Sequence, residues 1–240
     1  MSNLRLALLW ALLALMLAAS GRNQAVFLQL HHAAHSLPAV GWRLLSMAGE
    51  WTLVIALLLW RAAWEPAQLP RYTLALLLGI AAAIALKAGF AVPRPPLVLP
   101  PGSVQLLDVL PGNGSFPSGH AIAVALLCGL LTAGRRVALQ AAGLGLVWLV
   151  CLSRLAIGVH WPLDVCVGAA VGYAVAALAY GVPVARWPRA RLLLALLLPV
   201  SVVVALWKLQ RGVPNEAYLG YNLLVLLLAG LAWRQNKNGA

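Results

Sequence analysis

Long apolar runs are the feature that most constrains the fold of this 240-residue chain. An α-helix needs about 20 mostly apolar residues to cross the hydrocarbon core of a bilayer. Several runs approach or reach that length, and only 9% of the residues are charged, against roughly 25% in an ordinary soluble domain. The chain is therefore predicted to be an integral membrane protein. Its eight apolar segments are 4–20, 43–63, 72–92, 117–134, 137–155, 162–183, 189–207 and 218–233.

Short connections between most of these segments predict an all-α, polytopic transmembrane helical bundle in which sequential helices pack antiparallel. Residues 1–185 are expected to form a six-helix core, and residues 186–240 to add about two C-terminal transmembrane helices. The first segment, in which Arg5 precedes a Leu/Ala run ending near Ser20, is compatible with a cleaved signal peptide or a retained helix. We favour the retained helix because a membrane core follows it.

The excess of Lys and Arg over Asp and Glu is explained by membrane topology. The chain has 17 Lys and Arg residues against five Asp and Glu, a net charge of +12. In a soluble protein this excess would indicate nucleic-acid binding, but here the cations lie between apolar runs and no nucleic-acid partner is expected. If the N-terminus is cytoplasmic, ten cations fall on the cytoplasmic side: Arg5, Arg61, Arg71, Arg135, Arg136, Arg186, Arg189, Arg191, Arg234 and Lys237.

The opposite side holds seven cations: Arg22, Arg43, Lys87, Arg94, Arg154, Lys208 and Arg211. Three of them belong to a cluster assigned below to catalysis, which leaves ten against four as topology signals. Because Lys and Arg accumulate on cytoplasmic loops, this bias predicts a site on the outer side of the membrane.

Six charged or imidazole side chains fall at the same ends of the third to sixth segments. Charges at such positions are costly and are often functional. In an up-and-down bundle these ends face one side of the membrane, so the side chains are expected to converge in one pocket. They are Lys87, Arg94, His120, Arg154, His160 and Asp164.

This set of side chains is typical of phosphoryl transfer. Lys and Arg neutralise the non-bridging oxygens of a phosphate by charge and by hydrogen bonds. A neutral imidazole can attack phosphorus and form a covalent intermediate, and His160 is the candidate. Asp164 follows four residues later, on the same face if the helix begins by then, and would orient the ring. His120 is placed to protonate the leaving oxygen.

The start of the fourth segment is a candidate anion site. Ser118 and Gly119 stand where the free amides and the positive end of a helix would face a phosphate, and Gly119 allows a close backbone approach. For this stretch alone, an ordinary capped helix start is an equally good interpretation.

Other polar features receive plainer interpretations. Glu50, beside Trp51, is left out of the catalytic set and is expected to pair with a cation or to be neutralised by burial. The stretch with His31, His32 and His35 predicts an interfacial helix or turn, since no carboxylate accompanies the histidines as it would at a metal site. Three cysteines inside apolar segments are expected to be structural. They are Cys128, Cys151 and Cys166.

A proline-rich connection spans residues 93–116 and cannot be a helix interior. It is expected to lie outside the hydrocarbon or over a protein cavity. Its apolar side chains could cover the acyl chains of a substrate as a gate, so we expect this loop to contribute to substrate choice. Those side chains are Leu97, Val98, Leu99, Leu106, Leu107 and Val109.

The order and spacing of these residues resemble the three-part signature of the type-2 phosphatidic acid phosphatase (PAP2) family. The chain reads Lys87, six residues, Arg94-Pro95, then Pro117-Ser118-Gly119-His120, then Ser153-Arg154, five residues, His160, three residues, Asp164. The family also includes bacterial acid phosphatases and vanadium haloperoxidases. Residues 87–164 match without a departure at a signature position.

The resemblance implies a role for each matching residue. His160 would be the nucleophile that forms a phosphohistidine, Asp164 would orient it, and His120 would be the acid for the leaving group. Membrane members of the family need no metal, and no cofactor is implied. The phosphate would be held by Lys87, Arg94, Ser118, Gly119 and Arg154.

The implied reaction removes phosphate from a lipid phosphate or diphosphate, and undecaprenyl diphosphate is the preferred candidate. The expected location is a bacterial inner membrane, with the site facing the periplasm. Phosphatidylglycerophosphate, phosphatidic acid and lipid A phosphate are alternative substrates.

A lipid-headgroup transporter without hydrolysis is an alternative of another class, although its charges would lie near mid-membrane, often in repeated halves. A vanadate-dependent peroxidase is disfavoured because those relatives are soluble. The oligomeric state is left open.

Overall fold

The computed structural model describes residues 1–183, 189–210 and 215–238, and no strand occurs among them. The prediction of an all-α bundle is confirmed. Short 3-10 turns occur at Pro66–Gln68 and Pro95–Leu97. The helices are α1 (Asn3–Ser20), α2 (Asn23–Ala34), α3 (Ala39–Met47), α4 (Trp51–Trp64), α5 (Leu69–Phe90), α6 (Gly119–Thr132), α7 (Val137–Ala156), α8 (Pro162–Gly181), α9 (Ala190–Gln210) and α10 (Glu216–Asn238).

Six stretches of the described chain are long and apolar enough to cross a membrane, namely α1, α5 with its flanking turns, α7, α8, α9 and α10. These agree with predicted segments to within a few residues. The predicted boundary at 185/186 and Arg186 and Arg211 lie outside the described residues, as does the side chain of Arg191.

The second predicted segment, 43–63, is not one helix. It is divided into α3 and α4, which meet at an angle of 49° and count as a seventh span only when taken together. The break lies against the start of α6, since a Cβ on Gly49 would come within 2.7 Å of the His120 carbonyl oxygen. The bend therefore brings the α3–α4 junction next to a predicted site residue.

The fourth predicted segment, 117–134, is shorter in the structure, because α6 begins only after the Ser118 N-cap and has 14 residues. Every residue from Ala121 to Leu130 is buried, and α6 contributes to both of the main apolar clusters of the bundle. A helix that is apolar all round is stable in the centre of a protein. Its length is set by surrounding helices rather than by the thickness of the bilayer.

Small residues bring α8 very close to α6. A Cβ on Gly168 would lie 2.7 Å from the Ser118 carbonyl oxygen, and a Cβ on Gly172 would collide with the Ile122 carbonyl oxygen. Small residues at helix interfaces allow this close backbone approach in membranes. The contact fixes the start of α6 against the start of α8.

The helix ends alternate as the up-and-down topology predicts. At one end of the bundle, Asn3 of α1 donates to the Gly129 carbonyl of α6, and Arg71 of α5 donates to the Ala179 carbonyl of α8. The end of α5, the start of α6, the end of α7 and the start of α8 consequently meet at the opposite end. The six predicted catalytic groups lie at this opposite end.

The two C-terminal helices pack on the rest of the bundle. Ala205 of α9 and Tyr221 and Val225 of α10 share a buried apolar cluster with Leu53 and Ala56 of α4. Helices α9 and α10 therefore cover α4, the helix whose N-cap is Glu50.

Candidate active site

Arg94 is held by the loop that follows it. Its Nε donates to the Asn113 carbonyl at 3.0 Å, and Nη2 donates to Asn113 Oδ1 at 2.7 Å. Nη1 donates to the Val159 carbonyl at 2.7 Å, and the residue is only 2% exposed. The guanidinium is thus fixed in place by Asn113 of the proline-rich loop and by Val159 of the turn between α7 and α8. The loop 93–116 is folded over the bundle end and is not helical apart from the short 3-10 turn, as predicted.

His160 lies in the turn between α7 and α8, with its two ring nitrogens in different surroundings. Nδ1 lies 3.3 Å from Oδ2 of Asp164, which stands in the first turn of α8, so Nδ1–H is directed at a carboxylate. Nε2 lies 3.4 Å from Arg94 Nη1. In this tautomer Nε2 carries the lone pair, beside a cation that attracts phosphate oxygens.

Asp164 is itself held by two donors. The Trp161 amide donates to Oδ2 at 2.8 Å, and the Ser115 hydroxyl donates to the same oxygen. The carboxylate is 1% exposed. Two hydrogen bonds to one carboxylate oxygen fix the orientation of this buried side chain.

The electrostatic surroundings keep the His160 imidazole neutral. Burial, reinforced by the nearby Arg154, Arg94 and Lys87, holds the pKa of His160 well below its usual value of about 6.5. A neutral imidazole has the free lone pair that nucleophilic attack requires.

Lys87 and Arg154 complete the set of cations. Lys87 Nζ donates to the Gly114 carbonyl at 2.7 Å, and Arg154 Nη1 donates to the Ser46 hydroxyl of α3. Within the described chain, Arg154 Nε is buried without a hydrogen-bond partner. A buried donor in this state is costly, and an anion oxygen would satisfy it.

His120 approaches from the first turn of α6. Its Nε2 is buried and lies 3.6 Å from Glu50 Oε2, while the other oxygen of Glu50 accepts from Lys208 Nζ at 2.7 Å. The expectation that Glu50 pairs with a cation is therefore met by Lys208 of α9. Its position beside His120 was not predicted from the sequence.

These groups surround a cavity of about 470 Å³. One wall is polar and carries the cations and the two histidines, and the other is apolar. Such a cavity suits a molecule with a phosphate at one end and hydrocarbon next to it. Its lining residues are Trp51, Ile80, Ala83, Ile84, Lys87, Arg94, Pro111, Asn113, Gly119, His120, Arg154 and His160.

The structure brings almost all of the predicted site residues together. Six of them line the cavity: Lys87, Arg94, Gly119, His120, Arg154 and His160. Asp164 lies behind His160. Ser118 does not line the cavity, because it is fully buried and its hydroxyl accepts from the Ala121 amide at 3.5 Å as the N-cap of α6. A phosphate contact by Ser118 stays a prediction.

Sequence reasoning missed Ser46, Asn113 and Ser115, which hold Arg154, Arg94 and Asp164. Ser115 stands beside the signature, and its position two residues before Pro117 was the one available hint. Ser46 and Asn113 carry no periodic or motif signal, since their roles depend on which side chains the fold brings to them.

The histidine cluster of α2 is structural in this arrangement. His31 is fully buried, its Nδ1 donates to the Leu155 carbonyl at 2.9 Å, and its Nε2 accepts from the Gln105 amide at 3.1 Å. Burial lowers the pKa of His31, which is consistent with a neutral ring that both donates and accepts. The histidine therefore ties α2 to α7 and to the proline-rich loop. Among the described residues, no group of three His, Cys, Asp or Glu side chains is placed to hold a metal.

Comparison with known proteins agrees with this geometry. A family model described as the PAP2 superfamily matches residues 68–188, half of the chain, and this range contains all eight predicted site residues. A search of curated protein sequences finds no significant match.

Two solved structures share the fold. The crystal structure of LpxE from Aquifex aeolicus is 28% identical with a TM-score of 0.61, and the alignment covers 67% of this chain and 95% of that one. A transmembrane PAP2-type phosphatidylglycerolphosphate phosphatase from Bacillus subtilis is 21% identical with a TM-score of 0.54, covering 73% of this chain and 94% of that one. At 21% identity the second likeness concerns the fold alone.

Proposed function

The chain belongs to the PAP2 superfamily, and on this premise we propose that it removes a phosphate from a membrane lipid through a phosphohistidine at His160. One observation carries the proposal: two histidines and three cations surround a single cavity whose remaining wall is apolar. The membrane helices support a lipid substrate over a soluble one.

The reaction begins with attack by His160 Nε2 on phosphorus. The bond between phosphorus and the leaving oxygen breaks as the new N–P bond forms, and Asp164 stabilises the positive charge that develops on the ring. His120 gives a proton to the leaving oxygen. Lys87, Arg94 and Arg154 neutralise the charge on the phosphoryl oxygens.

Hydrolysis of the intermediate reverses these roles. His120, now neutral, accepts a proton from water, and the resulting hydroxide forms a bond to phosphorus while the N–P bond breaks. Inorganic phosphate leaves and His160 is neutral again. Every proton transfer in this cycle is assigned to a residue that lines the cavity.

Substrate choice is proposed at the level of a lipid phosphomonoester or diphosphate. Undecaprenyl diphosphate stays the sequence-based prediction, and phosphatidylglycerophosphate stays an alternative to it. Phosphatidic acid and lipid A phosphate have the same headgroup chemistry. The exposed apolar side chains Leu97, Val98 and Val109 support the proposal that the loop 93–116 contributes to the selection among these lipids.

Orientation and location are part of the same proposal. The excess of Lys and Arg at the end of the bundle remote from the site supports an active site on the outer face of a bacterial inner membrane. Modification of a single cysteine introduced at Asn113 by a membrane-impermeant reagent would check this, and labelling only after lysis would contradict it.

Phosphate release by the purified protein across a panel of these lipids tests the function. We expect release from at least one lipid, and at least about 10⁴-fold slower release by His160→Ala, because removal of a nucleophile leaves only binding effects. His32→Ala is the matched control, since His32 is exposed and outside the cavity.

Two outcomes would contradict the proposal. Appreciable release by His160→Ala would refute the nucleophile assignment. Transfer of labelled lipid between leaflets without any release of phosphate would favour the transporter alternative.

Chelators are expected to leave the rate unchanged, because Lys and Arg supply the electrostatic stabilisation, and a loss restored by added metal would refute that prediction.

A further inference from the structure

Glu50 is a carboxylate that the proposed mechanism does not use, and it faces the second histidine. Oε2 lies 3.6 Å from His120 Nε2, and no other carboxylate lies within 4 Å of that ring among the described residues. Since Nε2 is buried, Nδ1 is the nitrogen left to meet a substrate oxygen in the cavity. The arrangement matches a general acid that is oriented by a carboxylate on its far nitrogen.

Glu50 is held in turn by the C-terminal helices. Lys208 Nζ of α9 donates to Glu50 Oε1 at 2.7 Å and to Thr52 Oγ1 at 2.7 Å, and it lies 3.4 Å from the Tyr221 hydroxyl of α10. Lys208 and Tyr221 lie beyond residue 188, where the family match ends. Helices α9 and α10 therefore supply contacts to the site that the family region alone does not contain.

The acid role creates an electrostatic requirement that Glu50 meets. His120 has to be protonated when the leaving oxygen departs, yet the cations that bind phosphate oppose a positive charge on its ring. A carboxylate close to the ring favours the imidazolium. The charged and titratable groups that face the His120–Glu50 pair are Arg94, Arg154, His160, Lys208, Tyr218 and Tyr221.

We propose that Glu50 is a positioning residue for His120, that it favours the protonated form in which His120 acts as the leaving-group acid, and that Lys208 and Tyr221 fix Glu50 for this task. The inference rests on the proposed phosphatase function. It assigns the α9–α10 hairpin to the catalytic apparatus, in addition to its packing on α4.

The dependence of rate on the leaving group tests this assignment. An alkyl oxygen needs a proton to depart, whereas a nitroaryl oxygen departs without one. For Glu50→Gln we expect kcat/KM to fall by about 10–100-fold on a long-chain alkyl phosphate, and by less than about 3-fold on a nitroaryl phosphate with the same chain. The ratio of the two rates does not depend on how much of the sample is folded.

Three further measurements complete the test. Lys208→Met should change this ratio in the same direction by a smaller factor, and Lys208→Arg should restore it. In a His120→Ala background, Glu50→Gln should cause no further loss, because residues that act as one unit are not additive. The alkaline limb of the pH profile on the alkyl phosphate should move to lower pH in Glu50→Gln. Glu65→Gln is the control, a carboxylate at the opposite end of α4 that is paired with Arg61.

The outcomes separate the two proposals. If the wild-type protein releases no phosphate from either compound, the proposed function itself fails. If it does release phosphate but Glu50→Gln lowers both rates equally, or leaves the alkaline limb in place, Glu50 has only a structural role. An additive loss in the His120→Ala background would also overturn the inference.

Discussion

His160 and His120 face the same cavity, but their surroundings are built in different ways. His160 is paired with a carboxylate four residues away, and both lie in buried surroundings where Ser115 and Trp161 add hydrogen bonds. His120 instead faces Glu50, which comes from a different helix and is held by Lys208, 158 residues further along the chain. The pairing of His160 with its carboxylate is thus local in sequence, although Ser115 of the proline-rich loop adds a hydrogen bond, whereas the pairing of His120 is set by tertiary packing.

The difference has consequences for what each side tolerates. His160 and Asp164 both belong to the short stretch of backbone that leads into α8, so their geometry depends on that stretch. A pair that joins two helices depends on every contact that sets the distance between them. We therefore expect substitutions in the bundle to affect the leaving-group side before the nucleophile side.

Next to the loss of His160 itself, the largest effect is expected for Asp164→Asn, which breaks the nucleophile side. The amide has the same shape as the carboxylate but cannot hold the Nδ1–H tautomer or stabilise the charged ring, so kcat should fall by about 10²–10⁴-fold. Because Asp164 acts on the nucleophile and not on the leaving oxygen, alkyl and nitroaryl phosphates should be affected alike. Asp108→Asn, a loop carboxylate outside the cavity lining, is the control. A selective loss on the alkyl phosphate would contradict the division into two sides.

A smaller effect is expected for Gly172→Ala, which disturbs packing without touching the cavity. The new Cβ would collide with the Ile122 carbonyl oxygen and push α6 away from α8, at a cost of about 1–3 kcal/mol in the free energy of unfolding. The displacement moves His120 away from His160 while the His160–Asp164 pair stays intact. We expect a lower Tm and a preferential loss on the alkyl phosphate.

Gly145→Ala on α7 is the matched control for that experiment. No heavy atom lies within 4 Å of the position of its Cβ, and Ala is favoured over Gly inside a helix by about 0.5–1 kcal/mol. The free energy of unfolding should stay the same or rise, with unchanged rates. Equal behaviour of the two variants would show that the α6–α8 contact does not set the geometry of the site.

The same contrast explains what could be predicted from the sequence. The apolar segments predicted the helices because a bilayer leaves few alternatives for a run of about 20 apolar residues. The spacing of His160 and Asp164 predicted their pairing because residues four apart at the start of a helix stay close in space. The gathering of six groups at one end followed from alternation of helix direction alone.

What could not be predicted depends on distances between helices. No proline marks the 49° break between α3 and α4 in the sequence. The break lies where Gly49 packs against the backbone of α6. The partner of Glu50 was open among seven cations on one side, and only packing of α9 against α4 selects Lys208. Ser118 stands at a signature position of the family, but its hydroxyl accepts the capping hydrogen bond from the Ala121 amide.

The smallest effect concerns pH, and it assigns one limb of the profile to each histidine. His160 has to be neutral to attack, and burial together with Arg154, Arg94 and Lys87 holds its pKa well below 6.5. The neutral form therefore persists as the pH falls from 7 to 6, and activity is lost only at lower pH, where the ring finally protonates.

Between pH 7 and pH 6 we expect kcat/KM to change by less than about 2-fold, whereas a histidine with a pKa of about 6.5 would lose about 3-fold. The rate is measured on the nitroaryl phosphate, after correction for the separately determined ionisation of the substrate. Glu50→Gln should leave this acidic limb in place while it moves the alkaline limb on the alkyl phosphate. If the acidic limb moved as well, the two histidines would titrate as one coupled pair, and the separation into a locally built and a tertiary side would not extend to their protonation.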